Sequence, residues 1–337
     1  MAKYLLTKKD LLIWLKKLQQ EYEVLAPVKE KKVYNFGHWD GKSLPDKSYQ
    51  NTLKPPKDLF FPQHEILLKY KKVKGQRPII KAADLPEEKR VIFGIRPCDA
   101  KSLSLLDKVF LGEEYQDPFY QARRLNTLII SLVCREPKES CFCTQPFSVE
   151  GSDIVLFELN DKYLVEPISE KGKNCFPSAS YCEADFHIID KIKEIKINTY
   201  EEIASADLTE KLDLIFDSPI WKELQEKCIN CGVCSFLCPT CHCFDITDNQ
   251  QGSKVRNWDS CMFSGFTKQA SGHNPRPSGT ERLRQRVMHK FKYFPDKYGV
   301  VACVGCGRCV EKCPVNLDIR QVLLQIKNGG EKLECRM

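Results

Sequence analysis

Leu11, Leu15, Leu18 and Tyr22 recur at 4-3-4 spacing, which places them on one face of a helix predicted over residues 7–22. Thr7, with Asp10 three residues on, resembles a capping box in which Asp stands in for Glu or Gln. A stripe of this kind is expected to pack on its own domain. Val24–Val28 predicts a short strand. Residues 29–58 are polar and broken by Gly, Asn and Pro, including Lys54-Pro55-Pro56, and read as a long surface connection. From about residue 90 the pattern changes to β-rich runs at Val91–Ile95, Thr127–Val133, Ile154–Leu159 and Tyr163–Pro167. Asn160-Asp161 predicts a hairpin turn between the last two. Leu103, Leu106 and Phe110 predict a helix over Ala100–Phe110, between the first two runs. Strand, helix and strand in that order imply an α/β domain, with strand order left open. Residues 199–227 read as helical with a break at Asp217-Ser218-Pro219.

Composition sharpens the picture at one residue type. The chain has 337 residues, with 42% hydrophobic and 29% charged, an ordinary globular balance. It holds 18 cysteines. A core of this size does not need disulfide staples. Met1-Ala2-Lys3-Tyr4 runs into Lys8-Lys9-Asp10 with no export signal, and apolar runs such as Leu128–Val133 are strand-sized, so no membrane span is expected. The expected location is the reducing cytoplasm, where thiols serve metals or redox chemistry. The net charge of +7, from 52 Lys+Arg against 45 Asp+Glu, is too modest for a dedicated nucleic-acid binder and suits bound anionic centres or an acidic partner.

One motif occurs twice. Cys228-x2-Cys231-x2-Cys234-x3-Cys238-Pro239 is followed by Cys303-x2-Cys306-x2-Cys309-x3-Cys313-Pro314. Both copies have the spacing of the two-cluster ferredoxins, in which three close thiolates hold one cubane and the fourth, before proline, ligates the other. The expected wiring is therefore Cys228, Cys231, Cys234 and Cys313 on one 4Fe-4S cluster. Cys238, Cys303, Cys306 and Cys309 are expected on the second. Gly232, Gly305 and Gly307 suit loops whose backbone passes close to inorganic sulfide. Structural zinc is the alternative, but zinc sites use CxxC pairs or Cys/His mixtures. The intervening residues 239–302 carry Cys241, Cys243 and Cys261 and a basic helical stretch from Thr280 to Tyr293. Its cations are Arg282, Arg284, Arg286, Lys290 and Lys292, and its apolar stripe is Leu283, Val287 and Phe291. Cations beside a reduced cubane raise its potential. A solvated face or a partner-docking surface is otherwise expected there, ahead of nucleic-acid binding.

A second set is Cys98, Cys134, Cys141 and Cys143. Cys98 and Cys134 follow the strands Val91–Ile95 and Thr127–Val133, and adjacent strand ends open onto one sheet edge. With Cys141-Phe142-Cys143 in a following loop, four thiolates suffice for another iron–sulfur cluster, zinc or free buried thiols being the alternatives. Asp99 reads as a helix N-cap, or else as a ligand. Cys175, Cys182, Cys241, Cys243, Cys261 and Cys335 remain, and packing is the default for them. Cys241-His242-Cys243 with Cys261 is an alternative metal site.

The fold class expected is α+β or α/β. A mixed α/β domain over 1–217 carries a non-ferredoxin iron–sulfur site, and a mostly helical, ferredoxin-like dicluster domain over 218–337 contains the long insert 239–302.

Gly94-Ile95-Arg96-Pro97-Cys98-Asp99-Ala100, Asp117-Pro118-Phe119-Tyr120 and Cys141-Phe142-Cys143 resemble the amino-terminal signature of one family. Its members are the iron–sulfur β subunits of soluble hydrogenase and sulfur-reductase complexes and the A subunit of anaerobic sulfite reductase. The runs Cys238 to Asp245, Asn257 to Cys261 and Cys303 to Cys309 are similar to the dicluster domain of that family, and Ser271 to Pro277 resembles its hydrogenase-side members. The likeness runs from about residue 5 to 325 and its motifs are specific. It implies a third cluster at the amino-terminal cysteines. It also implies partners, a flavin/NAD(P)H-binding subunit and a catalytic redox subunit, between which electrons are carried. The chain has no GxGxxG, GxxxxGK[ST] or HExxH motif, so NAD(P)H oxidation by the chain itself is not expected. The expected function is an electron-transfer subunit with no catalytic residues of its own. The alternatives are a zinc-stabilised nucleic-acid-binding module and a subunit whose amino-terminal cluster is itself catalytic.

Overall fold

The computed structural model describes residues 3–71, 75–143, 148–183 and 206–328, which fall into two compact units. The first comprises residues 1–60, 85–198 and 304–306; the second comprises 61–84, 199–303 and 307–337. Neither follows the expected division at 217. Residues 61–84 lie inside the span expected for the amino-terminal domain yet belong to the second unit, and 304–306 belong to the first.

The first unit is built on a seven-stranded mixed sheet. Its strands are β1 (Tyr4–Thr7), β2 (Glu23–Glu30), β3 (Val33–His38), β6 (Arg90–Ile95), β7 (Thr127–Leu132), β8 (Ile154–Leu159) and β9 (Lys162–Pro167), in the order β1-β9-β8-β7-β6-β2-β3. The pairs β2–β6, β6–β7 and β7–β8 are parallel and the remainder antiparallel. Every residue of β7 is buried, which is why its sequence is a near-continuous apolar run without alternation. The hairpin between β8 and β9 turns at Asn160-Asp161 as expected, with Asn160 at φ 48°. The first helix spans Lys8–Leu18, with both bonds of the Thr7–Asp10 capping box formed. It stops short of Tyr22 and buries Trp14 beside Leu11, Leu15 and Leu18, against a core that includes Val91, Phe93, Leu128, Ile130 and Leu156.

Residues 29–58 are not a surface connection. They hold β3 and the buried Trp39, Tyr49 and Thr52. Their buried aromatics follow no regular spacing, so no periodicity announces them. Trp39 Nε1 donates to Ser43 O at 2.6 Å, and Tyr49 OH donates to Gly94 O at 2.9 Å.

The carboxy-terminal region is also not mostly helical. In the second unit β10 (Phe244–Asn249) and β11 (Ser253–Trp258) form a hairpin inside the insert. They join β4 (His64–Lys71) and β5 (Ile79–Ala82) in an antiparallel sheet of order β10-β11-β4-β5. β10 is polar and largely exposed, so it lacks the alternation that marks a half-buried strand. The break near 217–219 separates the helices Ala206–Leu214 and Ile220–Gln225; residues 199–205 of the expected helix lie outside the described residues. Among the described residues no helix is long and apolar enough to cross a membrane.

One buried ion pair fastens this sheet. Arg256 on β11 faces Glu65 directly across the ladder on β4, both side chains being almost wholly buried. The guanidinium lies 5.0 Å from the Phe61 ring centroid and 5.5 Å from that of Phe244. Removing one partner strands the other charge in an apolar site, whereas replacing both removes the problem. Arg256→Met alone should therefore lower stability by about 3–5 kcal/mol, and Arg256→Met with Glu65→Leu should recover most of that loss. Urea unfolding midpoints of the parent and the two variants check this.

Candidate metal centre

In the first unit, β6 and β7 are parallel neighbours, so both chains leave the sheet at one edge. Cys98 sits in the first turn of the helix Pro97–Phe110, just past β6, and Cys134 lies two residues past β7. Arg96 ties the two exits together. It is 4% exposed, and its guanidinium donates to Leu132 O at 2.9 Å, Val133 O at 3.0 Å, Gln50 O at 2.8 Å and the carbonyl of Tyr49. The same group stacks 4.1 Å over the Tyr49 ring. Arg96, not Asp99, occupies the N-cap position; Asp99 is fully buried in the first helical turn beside Cys98.

Cys141, Cys143 and Cys306 join this edge. Phe142 N–H donates to Gly305 O at 2.8 Å, and the Cys141 thiol donates to Cys306 O at 3.7 Å. Gly305, at φ +63°, lies so close that a Cβ there would fall 2.4 Å from Phe142 O and 2.5 Å from Cys143 N. The thiols feel one another's charge. Burial, followed by Asp99, Cys306, Cys134 and Cys143, pushes the Cys98 thiol well above its ordinary value. Burial, Cys134 and Cys141 raise Cys143 to about 12. For Cys134 burial again raises the value, with Arg96 working against it. Bare, these groups hold their protons; bound to metal, such thiols are deprotonated. Cys306 stands among the amino-terminal cysteines, a neighbourhood that the motif spacing did not indicate.

In the second unit, Cys228, Cys231, Cys234 and Cys313 all line one cavity, together with Cys309, Met262, Leu283 and Arg286. The two motif loops share a backbone signature. Asn230 and Gly232 have φ of 54° and 74°, and the matching Gly305 and Gly307 have 63° and 75°. Gly232 and Gly307 are the N-caps of the short helices Val233–Phe236 and Arg308–Glu311. A Cβ on Gly232 would meet the Phe263 ring at 2.7 Å. Leu317 N–H donates to Cys313 Sγ at 3.2 Å. Cys309 is raised to about 12 by burial, with Arg286 lowering it and Cys303, Cys238 and Cys234 adding to the rise.

The basic stretch is not a solvated face. It forms the helix Gly279–Met288, which runs on through a π-turn at His289–Tyr293. Arg284 donates to Phe216 O at 2.7 Å and Lys292 pairs with Asp213 at 2.9 Å, while Arg286 and Lys290 are buried. Arg286 is the residue that spacing alone did not single out. Burial disfavours its charge, yet Cys234, Cys309, Cys241 and Cys238 raise its pKa well above the ordinary arginine value. Its Nε is buried without a hydrogen-bond partner among the described residues, beside a cavity walled by thiols. An orphaned cationic donor facing several thiols fits a bound anionic cluster. Among the described residues no group of three or more His, Cys, Asp or Glu side chains is placed to hold a single metal ion.

Of the remaining cysteines, Cys241 and Cys261 are buried and Cys243 half-buried; the hydrogen bond between Cys261 and Cys243, and then burial, push the Cys261 thiol far up. Cys175 is half-buried, 3.9 Å from Tyr22 OH, and Cys182 is exposed. Cys335 lies outside the described residues.

Residues 227–317 match the family described as the 4Fe-4S dicluster domain. Over 328 residues, 93% of this chain and 95% of the relative, the sequence is 32% identical to sulfhydrogenase 2 subunit beta of Pyrococcus furiosus. The chain belongs to the iron–sulfur hydrogenase β-subunit family. Its carboxy-terminal region is accordingly a domain for clusters of the 4Fe-4S type. No solved structure matches the chain.

Within this β-type subunit the contact at Gly305 is open to test. Gly305→Ala puts a methyl group against backbone at a positive φ, where side chains are strained. The variant should unfold at lower temperature and retain less iron than the parent; thermal midpoints and iron per chain after anaerobic purification check this.

Proposed function

We propose that this chain is the electron-transfer subunit of a cytoplasmic, multi-subunit oxidoreductase of hydrogenase, sulfur-reductase or sulfite-reductase type. Its partners are a flavin/NAD(P)H-binding subunit and a catalytic redox subunit, and nucleic acid is not among them. The observation that carries this reading is the thiol-walled cavity of the second unit, with the buried Arg286 guanidinium beside it.

In this reading Cys228, Cys231, Cys234 and Cys313 hold one 4Fe-4S cluster, and Cys238, Cys303, Cys306 and Cys309 hold a second. Cys98, Cys134, Cys141 and Cys143 hold a third, for which the 4Fe-4S form is preferred. A bound cluster of this kind takes up and gives back a single electron. The chain's own residues do the rest. Cysteines from separate segments fix each site, and Arg96 holds the exits of β6 and β7 so that Cys98 and Cys134 keep their spacing. Met262 and Leu283 give the second-unit cavity an apolar wall, and Arg286 supplies positive charge where a reduced centre adds negative charge.

Three clusters require about twelve iron atoms per chain, with matching acid-labile sulfide. A colourless protein with stoichiometric zinc would overturn the reading. The wiring is tested by single substitutions. Cys313→Ala should damage the cluster of Cys228, Cys231 and Cys234 and spare the other, and Cys238→Ala should do the reverse; Mössbauer or EPR assignment of the surviving cluster decides it. For the amino-terminal site, Cys98→Ser should block turnover with the physiological donor and leave activity from an artificial donor that feeds the catalytic subunit directly. Loss of both activities in an assembled complex would make that site catalytic instead.

A further inference from the structure

Lys290 is 4% exposed and spends all three of its ammonium donors inside the second unit. Nζ lies 3.2 Å from Cys238 Sγ, 2.9 Å from Thr240 Oγ1 and 2.9 Å from Ala302 O. No carboxylate shares it among the described residues. The surroundings lock the same geometry. Thr240 Oγ1 donates to Ala302 O at 2.7 Å, and Ala302 N–H donates back to Lys290 O at 2.9 Å. The backbone at Lys290 is the π-turn His289–Tyr293, a local widening of the helix that is uncommon and frequent at functional sites.

We propose that Lys290 is a positioning charge that selectively raises the reduction potential of the cluster held by Cys238, Cys303, Cys306 and Cys309, acting through its hydrogen bond to Cys238 Sγ. The proposal rests on the ligand assignment made above. Reduction of a thiolate-bound cubane adds one negative charge, with no bond made or broken. An N–H donor on a ligand sulfur, with a full positive charge behind it, stabilises that reduced form over the oxidised one. The selectivity follows from position. The thiols whose charge Lys290 feels most are Cys238, Cys241 and Cys303, none of which belongs to the set Cys228, Cys231, Cys234 and Cys313. Arg286, one turn earlier, differs in facing both Cys234 and Cys309. The helix thus carries one cation shared between two sites and one reserved for a single site.

The test is an anaerobic redox titration of the full chain followed by EPR, with cluster signals assigned through Cys313→Ala and Cys238→Ala. Lys290→Met should lower the potential of the second cluster by at least a tenfold change in its reduction equilibrium, which is about 59 mV for one electron. The first cluster should hardly move, and Lys290→Arg should restore most of the shift. Lys290→Gln, which keeps a donor without the charge, should fall between Met and the parent. Parent-like potentials in fully iron-loaded Lys290→Met overturn the proposal alone. A fall confined to the cluster of Cys228, Cys231 and Cys234 overturns it together with the ligand assignment. Loss of the second cluster from both the Met and Gln variants, with the first retained, makes Lys290 structural and also overturns it.

Discussion

Crowding many sulfur atoms into places shielded from water is the constraint on which this molecule turns. Neutral thiols pack readily, but thiolates repel one another, and burial makes each charge harder to keep. The raised thiol pKa values at Cys98, Cys143 and Cys309 are that conflict written into single residues. The chain answers it by placing buried cations and backbone donors against sulfur. Arg96 works at the sheet edge, and Arg286 and Lys290 work along one helix of the second unit. Arg256 shows the contrasting case, a buried cation given an ordinary carboxylate partner and so serving only the sheet.

The legible part of the sequence was the part in which neighbours in the chain are neighbours in space. Two CxxCxxCxxxCP runs announced the dicluster region, and the apolar runs around Val91–Ile95 and Thr127–Val133 announced adjacent strand ends with a cysteine just beyond each. Those signals are local or periodic. The Arg96 contacts were illegible because they join its side chain to carbonyls of Tyr49, Gln50, Leu132 and Val133, distant positions with no pattern of their own. β10 is not announced because its polar sequence pairs through backbone with β11, and it is β11 whose ladder to β4 connects segments nearly two hundred positions apart. Residues 29–58 misled for a related reason: their buried aromatics are isolated, and the turns between them use the same Gly, Asn and Pro as surface loops.

The basic helix is the most instructive mismatch. Five cations in a short stretch suggested an exposed face, but helical geometry sorts them. Arg286 and Lys290 are four apart and turn inward beside Leu283, Val287 and Phe291, while Arg284 and Lys292 find partners at Phe216, Asp217 and Asp213. A count of charges is blind to that sorting. A helical projection hints at it, and only the π-turn at His289–Tyr293 completes it.

The interleaving of the two units bears on how the protein is made. The first unit includes residues 304–306, whose Gly305 and Cys306 bond to the Cys141–Cys143 loop. Amino-terminal domains commonly fold while the ribosome is still at work, but this one cannot finish until about a hundred further residues have been synthesised, roughly 5–20 s at ordinary elongation rates. For that interval Cys98, Cys134, Cys141 and Cys143 lack Cys306 beside them. An early-translated part of the chain is thus closed only when residues 304–306 have been made.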